Sequence, residues 1–196
     1  HGLEVMAGSS WTDSDYSNSW INGSHYRSDL IQTLNAANKI SWDNTGTGAS
    51  QWGIMSFFGR VAYNFDSKYL LTANLRADGS SKFSKDNRWG FFPSAALAWR
   101  MSSENFMEST KSWLDDLKLR ISYGTAGNNN IPSDQTSTIW SAGSGASIGW
   151  MNNMSSYWTT GAQMANPDLK WETTHTRNAG LDFTLLNGKL SGTVEY

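Results

Sequence analysis

Tyr69-Leu-Leu-Thr-Ala-Asn-Leu-Arg-Ala-Asp78 and Phe91-Phe-Pro-Ser-Ala-Ala-Leu-Ala-Trp-Arg-Met101, joined by the polar segment Gly79-Ser-Ser-Lys-Phe-Ser-Lys-Asp-Asn-Arg-Trp-Gly90, decide how this chain is read. Both runs alternate with the two-residue period of a β-strand. In the first, Tyr69, Leu71, Ala73, Leu75 and Ala77 share one face, and Leu70, Thr72, Asn74, Arg76 and Asp78 share the other. In the second, Phe91, Pro93, Ala95, Leu97 and Trp99 alternate with Phe92, Ser94, Ala96, Ala98 and Arg100. One face is oily and the other is small or polar.

The same parity extends outward to seven strands: 2–11, 53–65, 69–78, 91–101, 116–126, 170–185 and a last one from Lys189 carrying Leu190, Val194 and Tyr196. Asn187-Gly188, between two alternating runs, is a strong two-residue hairpin signal. Ser103 is placed to cap a short helical turn within 102–114. Links 66–68, 102–115 and 187–188 are short, whereas 13–52, 78–90 and 127–169 are long. In an up-and-down meander each set emerges at one end, which predicts one rim of short turns and one of long loops. Outer-membrane barrels have that asymmetry. The alternating pattern is already under way at both ends of the sequence, so the chain reads as a piece of something longer.

Composition narrows the class. The chain has 196 residues, a formal charge of −2, no cysteine, eleven Trp, seven Tyr, eight Phe, eighteen Gly and three Pro. Near-neutral charge argues against nucleic acid as a partner, and the lack of cysteine excludes disulfides and zinc-thiolate sites. No run approaches the ~20 apolar residues of a spanning helix, a test that leaves a membrane barrel open because its strands are only about ten residues long.

Two readings compete for the oily face: a soluble β-sandwich core, or lipid. The opposite face is rich in Ser, Thr, Gly, Ala and Asn where a solvated exterior more often carries Lys and Glu. Aromatics also fall into two tiers. Phe65, Tyr63, Tyr69, Trp99 and Phe183 lie towards the short-turn rim, and Trp11, Phe57, Phe91, Tyr123, Trp171 and Tyr196 towards the long-loop rim. Phe57 to Phe65 and Phe91 to Trp99 are both eight steps, roughly 19 Å at a ~45° tilt, near the ~25 Å apolar band of such barrels. The expected fold is all-β: about seven antiparallel up-and-down strands of a transmembrane β-barrel with long extracellular loops.

Three blocks of wording point the same way. Leu75-Arg-Ala-Asp-Gly-Ser-Ser-Lys-Phe83 with Asn87-Arg-Trp-Gly-Phe-Phe-Pro-Ser94 and Ala98-Trp-Arg100 closely resembles a stretch in the barrels of SusC/RagA-type TonB-linked outer-membrane proteins. Trp113-Leu-Asp-Asp-Leu-Lys-Leu-Arg-Ile-Ser-Tyr-Gly-Thr-Ala-Gly-Asn128, and Asn166-Pro-Asp-Leu-Lys-Trp-Glu-Thr-Thr174 followed by Gly180-Leu-Asp-Phe183, resemble the next two blocks of that family in its order. The resemblance spans roughly 53–196. It implies that residues 1–196 are part of a barrel domain of about twenty-two strands, within the size range of such barrels, whose plug is absent from this chain. It further implies localisation in the Gram-negative outer membrane, energisation by TonB through the missing N-terminal part, a SusD-like surface lipoprotein as partner, and import of oligosaccharide or peptide. No cofactor is implied.

Chemistry is sparse. His1, His25 and His175 are far apart, and none has the spacing of a metal ligand set. Asp115 and Asp116 are adjacent on a strand and point to opposite faces, so they do not converge as an acid/base pair. Gly143-Ser-Gly-Ala146 lacks the setting of a nucleophile. Hence no catalytic residue or metal site is expected. Asp78-Gly-Ser-Ser81 reads as a structural loop, locked in part by Arg88 and Trp89, with guanidinium stacking on indole as one geometry. Trp140, Trp150, Tyr157 and Trp158, with Asn129 and other amides nearby, suit a sugar ring; the same groups also suit a peptide, a partner protein or packing within the loop. Trp20, Trp42 and Trp52 in the first long loop carry the same alternatives. Arg60, Arg76, Arg100, Lys118 and Arg120 fall on the lumen-facing parity, where they are expected to ring the interior and pair with plug carboxylates. The alternative function is a secreted Trp-rich carbohydrate-binding β-domain; a glycan-degrading enzyme lacks convergent carboxylates.

Overall fold

A computed structural model describes residues 1–28, 30–31, 33–143, 157–160 and 164–196. Its strands are β1 (Gly2–Ser24), β2 (Lys39–Phe65), β3 (Tyr69–Ser80), β4 (Trp89–Arg100), β5 (Leu114–Asn128), β6 (Trp140–Gly143), β7 (Tyr157–Thr160), β8 (Glu172–Leu185) and β9 (Leu190–Glu195). Seven of them form one sheet in the order β1-β2-β3-β4-β5-β8-β9, and β6 and β7 form a separate two-stranded sheet. All the registered pairs are antiparallel. Helical structure among the described residues is limited to the 3-10 turns Leu34–Ala36, Met101–Ser103 and Asn105–Thr110.

The chain divides into two compact units, residues 1–12 with 54–196, and residues 13–53. The second unit corrects the expected loop at 13–52. Its ends are continuations of β1 and β2, turned through Leu34–Ala36, with the Asn38 N–H donating to the Ser24 carbonyl at 3.2 Å. Alternation is weak there because these strands bury little; backbone pairing holds them rather than an oily face. The Trp20 ring lies where a side chain at Gly46 would stand, at 2.6 Å from a Cβ there.

In the first unit the parity holds across the ladder. Phe65 pairs with Tyr69 and Tyr69 with Trp99, which pairs with Leu119, then Leu181, then Val194. One apolar residue from each of six strands therefore stands in one row. Burial is inverted relative to a soluble domain: on the apolar face Phe91 is 67% and Leu75 53% exposed, while on the other Ser56 is 1% and Ser80 0% exposed. A water-soluble sheet packs the oily side and wets the other.

The 3-residue link 66–68 and the turn at 186–189 are as short as expected. In the first, Lys68 N–H donates to Phe65 C=O at 2.9 Å, and Asp66 and Ser67 have φ of 54° and 56°. In the second, Asn187 and Gly188 have φ of 58° and 79°. Positive φ at both central residues is the type I′ geometry that matches strand twist. Glycine meets that demand in one turn; Ser67 meets it at a steric cost.

At the same rim, Glu104 accepts hydrogen bonds from the Tyr69 hydroxyl at 2.6 Å and the Trp99 indole at 3.1 Å, with Lys68 Nζ at 3.5 Å. Ser103 does not cap the helical turn: Glu104 precedes Asn105–Thr110 without a side-chain cap, its carboxylate being engaged by the sheet. The Tyr69 hydrogen bond is the largest of the effects that hold its carboxyl below the usual carboxylate range. Tyr69 and Trp99 stack with centroids 6.4 Å apart and planes 10° apart, beside Phe65.

Two outcomes follow from these turns. Ser67→Gly should stabilise the protein by about 0.5–1 kcal/mol and Gly188→Ala should destabilise it by a similar amount, read by chemical denaturation. Because the Glu104 carboxyl is lowered on folding, its contribution is present above the ordinary carboxylate range and lost as pH falls through the lowered value. Glu104→Gln should therefore reduce the acid dependence of stability while lowering stability at neutral pH.

Candidate functional site

The polar face gathers the side chains that bulk composition hides. Its lower rows run Arg100-Lys118-Asp182-Thr193 and Ala98-Arg120-Gly180-Glu195 across β4, β5, β8 and β9. Arg100 and Lys118 are direct neighbours of like charge, an unfavourable pair unless carboxylates stand beside them. They do. Arg100 Nε is 3.4 Å from Asp116, which also accepts from Ser102 Oγ at 2.7 Å, and Lys118 Nζ is 3.0 Å from Asp182. Arg120 grips both oxygens of Asp182 at 2.8 Å and reaches Glu195 at 2.6 Å. Its fork crosses above Gly180, where a Cβ would be 3.2 Å from Nη2. Thr193 donates to Asp182 at 3.1 Å. Two-point guanidinium pairing of this kind fixes geometry as well as charge.

Higher up, the same face forms a concavity of about 570 Å3 lined by residues including Arg60, Asn74, Arg76, Asp78, Phe92 and Trp171. Arg76 Nε donates to both oxygens of Asp78, at 2.7 and 2.8 Å, and its Nη2 to Ser56 at 3.1 Å. Asn74 donates to Ser94 at 3.0 Å. Four of the five cations are therefore neutralised within the sheet. Arg60, in the row Arg60-Asn74-Ser94-Gly124, has no carboxylate partner among the described residues.

An aromatic pin closes the concavity. Phe83 and Phe92, both buried, each lie 5.4 Å from the Trp171 ring. The Trp171 indole donates to Arg88 C=O at 2.9 Å, and Ser84 Oγ and Asn87 Nδ2 both donate to Pro167 C=O. Gly90 and Gly127 leave room for the Phe92 ring; a Cβ at either would overlap it. This corrects the placement of Trp171 in the outward upper tier. It stands one residue before β8, so strand parity does not bind it, and it turns inward. Gly90, set between Trp89 and Phe91, was the sequence signal for the pin; Gly127, between Ala126 and Asn128, carried none.

Other expected residues fall as follows. Asn129 Nδ2 donates to the buried Ser80 Oγ at 3.1 Å, so its amide is bonded to the sheet beneath it. Trp140 lies in β6, opposite Thr160, while Tyr157 and Trp158 lie in β7, opposite Gly143 and Ala142. A hairpin thus occupies part of the expected 127–169 loop; Trp150 lies outside the described residues. Trp89 stacks on Phe57 at 6.1 Å and 21° rather than on Arg88. His1 and His175 each meet a tyrosine hydroxyl, and His25 meets Ser24 Oγ. Asp115 accepts from Gly188 N–H at 3.0 Å while Asp116 turns to Arg100 and Ser102, so the two carboxylates diverge.

Comparison with known proteins gives a consistent picture. A family model described as "TonB dependent receptor-like, beta-barrel" matches residues 2–196. TonB-dependent receptor P39 of Formosa agariphila is 34% identical over 195 residues, covering 100% of this chain and 18% of the relative. TonB-dependent receptor SusC of Bacteroides thetaiotaomicron is 42% identical over 142 residues, covering 72% of this chain and 14% of the relative. The structure of the RagAB peptide transporter superposes with a TM-score of 0.74 at 26% identity, over 98% of this chain and 21% of that one. The RagAB importer in its open-open state gives 0.75 at 26% identity, over 98% and 20%. The chain spans less than a fifth of the length of these two curated relatives. These relatives are receptors and transporters, not enzymes.

The pin makes a coupled prediction. Phe92→Ala should cost about 3–4 kcal/mol and Gly127→Ala about 1–3 kcal/mol. The double variant should cost clearly less than the sum, because the ring that the new methyl strikes is gone. A double-mutant cycle by chemical denaturation reads this directly.

Proposed function

Because the chain belongs to the TonB dependent receptor-like β-barrel family, we propose that it forms part of the wall of an outer-membrane transporter, with its apolar face in lipid and its polar face lining the lumen. The observation that carries this is the inverted burial: Phe57, Leu71, Leu75, Phe91, Leu97 and Ile121 are exposed together on one side of the sheet. In water such a side would be a large aggregation surface. In a bilayer it is the required exterior, and between the edge strands β1 and β9 the backbone ladder satisfies the polar groups that lipid cannot. The same inversion favours this reading over a secreted carbohydrate-binding domain.

The cargo class is oligosaccharide or peptide, imported with a SusD-like lipoprotein and driven by TonB through a part of the protein outside this chain. Peptide transport is what the RagAB names state of those proteins; Trp140, Trp150, Tyr157 and Trp158 with neighbouring amides are the loop groups suited to a sugar ring or a peptide. Among the lumen cations, Arg60 is the one left to pair with a carboxylate of the plug, since Arg76, Arg100, Lys118 and Arg120 are neutralised by their neighbours.

Two measurements test this in the full-length protein. Ala95 and Ala96 are consecutive and face opposite sides, so Ala95→Arg should impair membrane assembly, while Ala96→Arg assembles normally. Equal assembly, or the reverse order, overturns the orientation. In whole cells, uptake of a labelled cargo should require TonB and be competed by either glycans or peptides; uptake independent of TonB rejects the transporter reading.

A further inference from the structure

Among the described residues, the apolar face carries a single charged residue in its regular strand pairing, and its position is informative. Within residues 1–12 and 54–196, Glu4, Arg60, Arg76, Asp78, Arg100, Asp116, Lys118, Arg120, Glu172, Asp182 and Glu195 all fall on the polar parity. Asp115 is the extra residue of the irregularity at Leu114/Asp116, at the short-turn rim. That leaves Arg177. It is exposed, stands opposite Tyr123, and has no acidic partner among the described residues.

Its height follows from the strand. Arg177 is eight residues above Leu185, roughly 19 Å at a ~45° tilt, towards the upper edge of a ~25 Å apolar band. One step down, Ile121 and Ala179 pair on the oily side; one step up, Thr125 pairs with His175. The oily band on β5 and β8 thus ends at the Tyr123–Arg177 row. Beside it, the Tyr123 hydroxyl and His175 Nδ1 are 2.9 Å apart and their rings stack at 6.2 Å and 29°. An arginine against lipid is costly unless it meets an anion or reaches the interface. This row offers a planar two-point donor for a phosphate, an imidazole and a phenol alongside, and aliphatic surface directly below for acyl chains.

We infer that Arg177, with Tyr123 and His175, forms a site on the outer surface of the sheet for the phosphate of an anionic membrane lipid. The inference rests on the reading of the apolar face as lipid-facing. The head group is held by the guanidinium, and its chains lie over Ile121 and Ala179. Polar-face cations are unsuited to this role, since most are neutralised by carboxylates; Arg177 is chemically free and faces the bilayer.

The test uses the full-length protein in neutral detergent, titrated with dioleoyl phosphatidic acid or dioleoyl phosphatidylcholine and read by native mass spectrometry. Wild type should carry about fivefold more phosphatidic acid than phosphatidylcholine adduct. Arg177→Gln should abolish the preference, Arg177→Lys should keep part of it, and excess inorganic phosphate should leave the adduct in place. Equal adducts in wild type, an undiminished preference in Arg177→Gln, or displacement by inorganic phosphate overturns the site. A second arm separates the premise: a bimane on Ile121→Cys, in a cysteine-free background in bilayers, should be quenched by brominated acyl chains. Quenching without the lipid preference removes the site alone; absence of quenching removes the lipid-facing assignment and the site with it.

Discussion

The register of the antiparallel ladder is the constraint on which everything else in the sheet depends. Side chains alternate with a period of two, so a slip of one residue between neighbouring strands would exchange their faces. Phe91 would then join the polar side and Phe92, with the ring that closes the concavity, would be turned out. Several devices hold the register here. The short turns set Phe65 against Tyr69 and Leu185 against Leu190, the Tyr69–Trp99 pair stacks across one row, and Arg120 reaches its two carboxylates only when Gly180 lies beneath it.

Charge is distributed by the same rule. Nearly every ionisable strand residue lies on one side, and most of the cations there stand within an ion-pair distance of a carboxylate on the same or a neighbouring strand. The arrangement lets a densely charged surface remain close to neutral, so the exceptions define where outside groups are needed. Arg60 is the exception on the polar side and Arg177 on the apolar side. One faces a concavity and the other a band of hydrocarbon, so the same residue type serves two chemically different neighbourhoods.

Much of this was legible in the sequence wherever one side of a strand is oily. The runs 69–78, 91–101 and 116–126 announced their faces and pairing, and Asn187-Gly188 its turn. The polar ends of β1 and β2 were not legible, because Ser, Thr, Asn and Gly alternate with nothing that distinguishes the two sides; only backbone pairing makes them strands. Trp171 was seen but misplaced, and the hydrogen bond of Asn129 was not foreseen. Their partners, Ser80 on one hand and Phe83 and Phe92 on the other, are distant in sequence, and the residue before a strand obeys no periodicity. The lower aromatic tier could be read because it lies inside the strands; Trp171 could not because it lies just outside one. The lumen positions of the cations followed from parity, and the up-and-down order placed 170–185 beside 116–126; the neutralisation of the cations was not legible, because it depended on the cross-strand register that sets Lys118 and Arg120 against Asp182 and Glu195.

The pin of Phe83, Phe92 and Trp171 joins the β3–β4 connection to the segment leading into β8, with Pro167 accepting from Ser84 and Asn87 across the same gap. Rim segments of this kind are usually regarded as the freely variable part of a barrel. Here two of them share one small interior, so neither can be replaced alone. In a chimera, the 81–88 connection and the 166–171 approach must travel together, along with the glycines that make space for Phe92. The unit of exchange at this rim is a pair of distant segments, and natural divergence between relatives should track that pair as one inherited block.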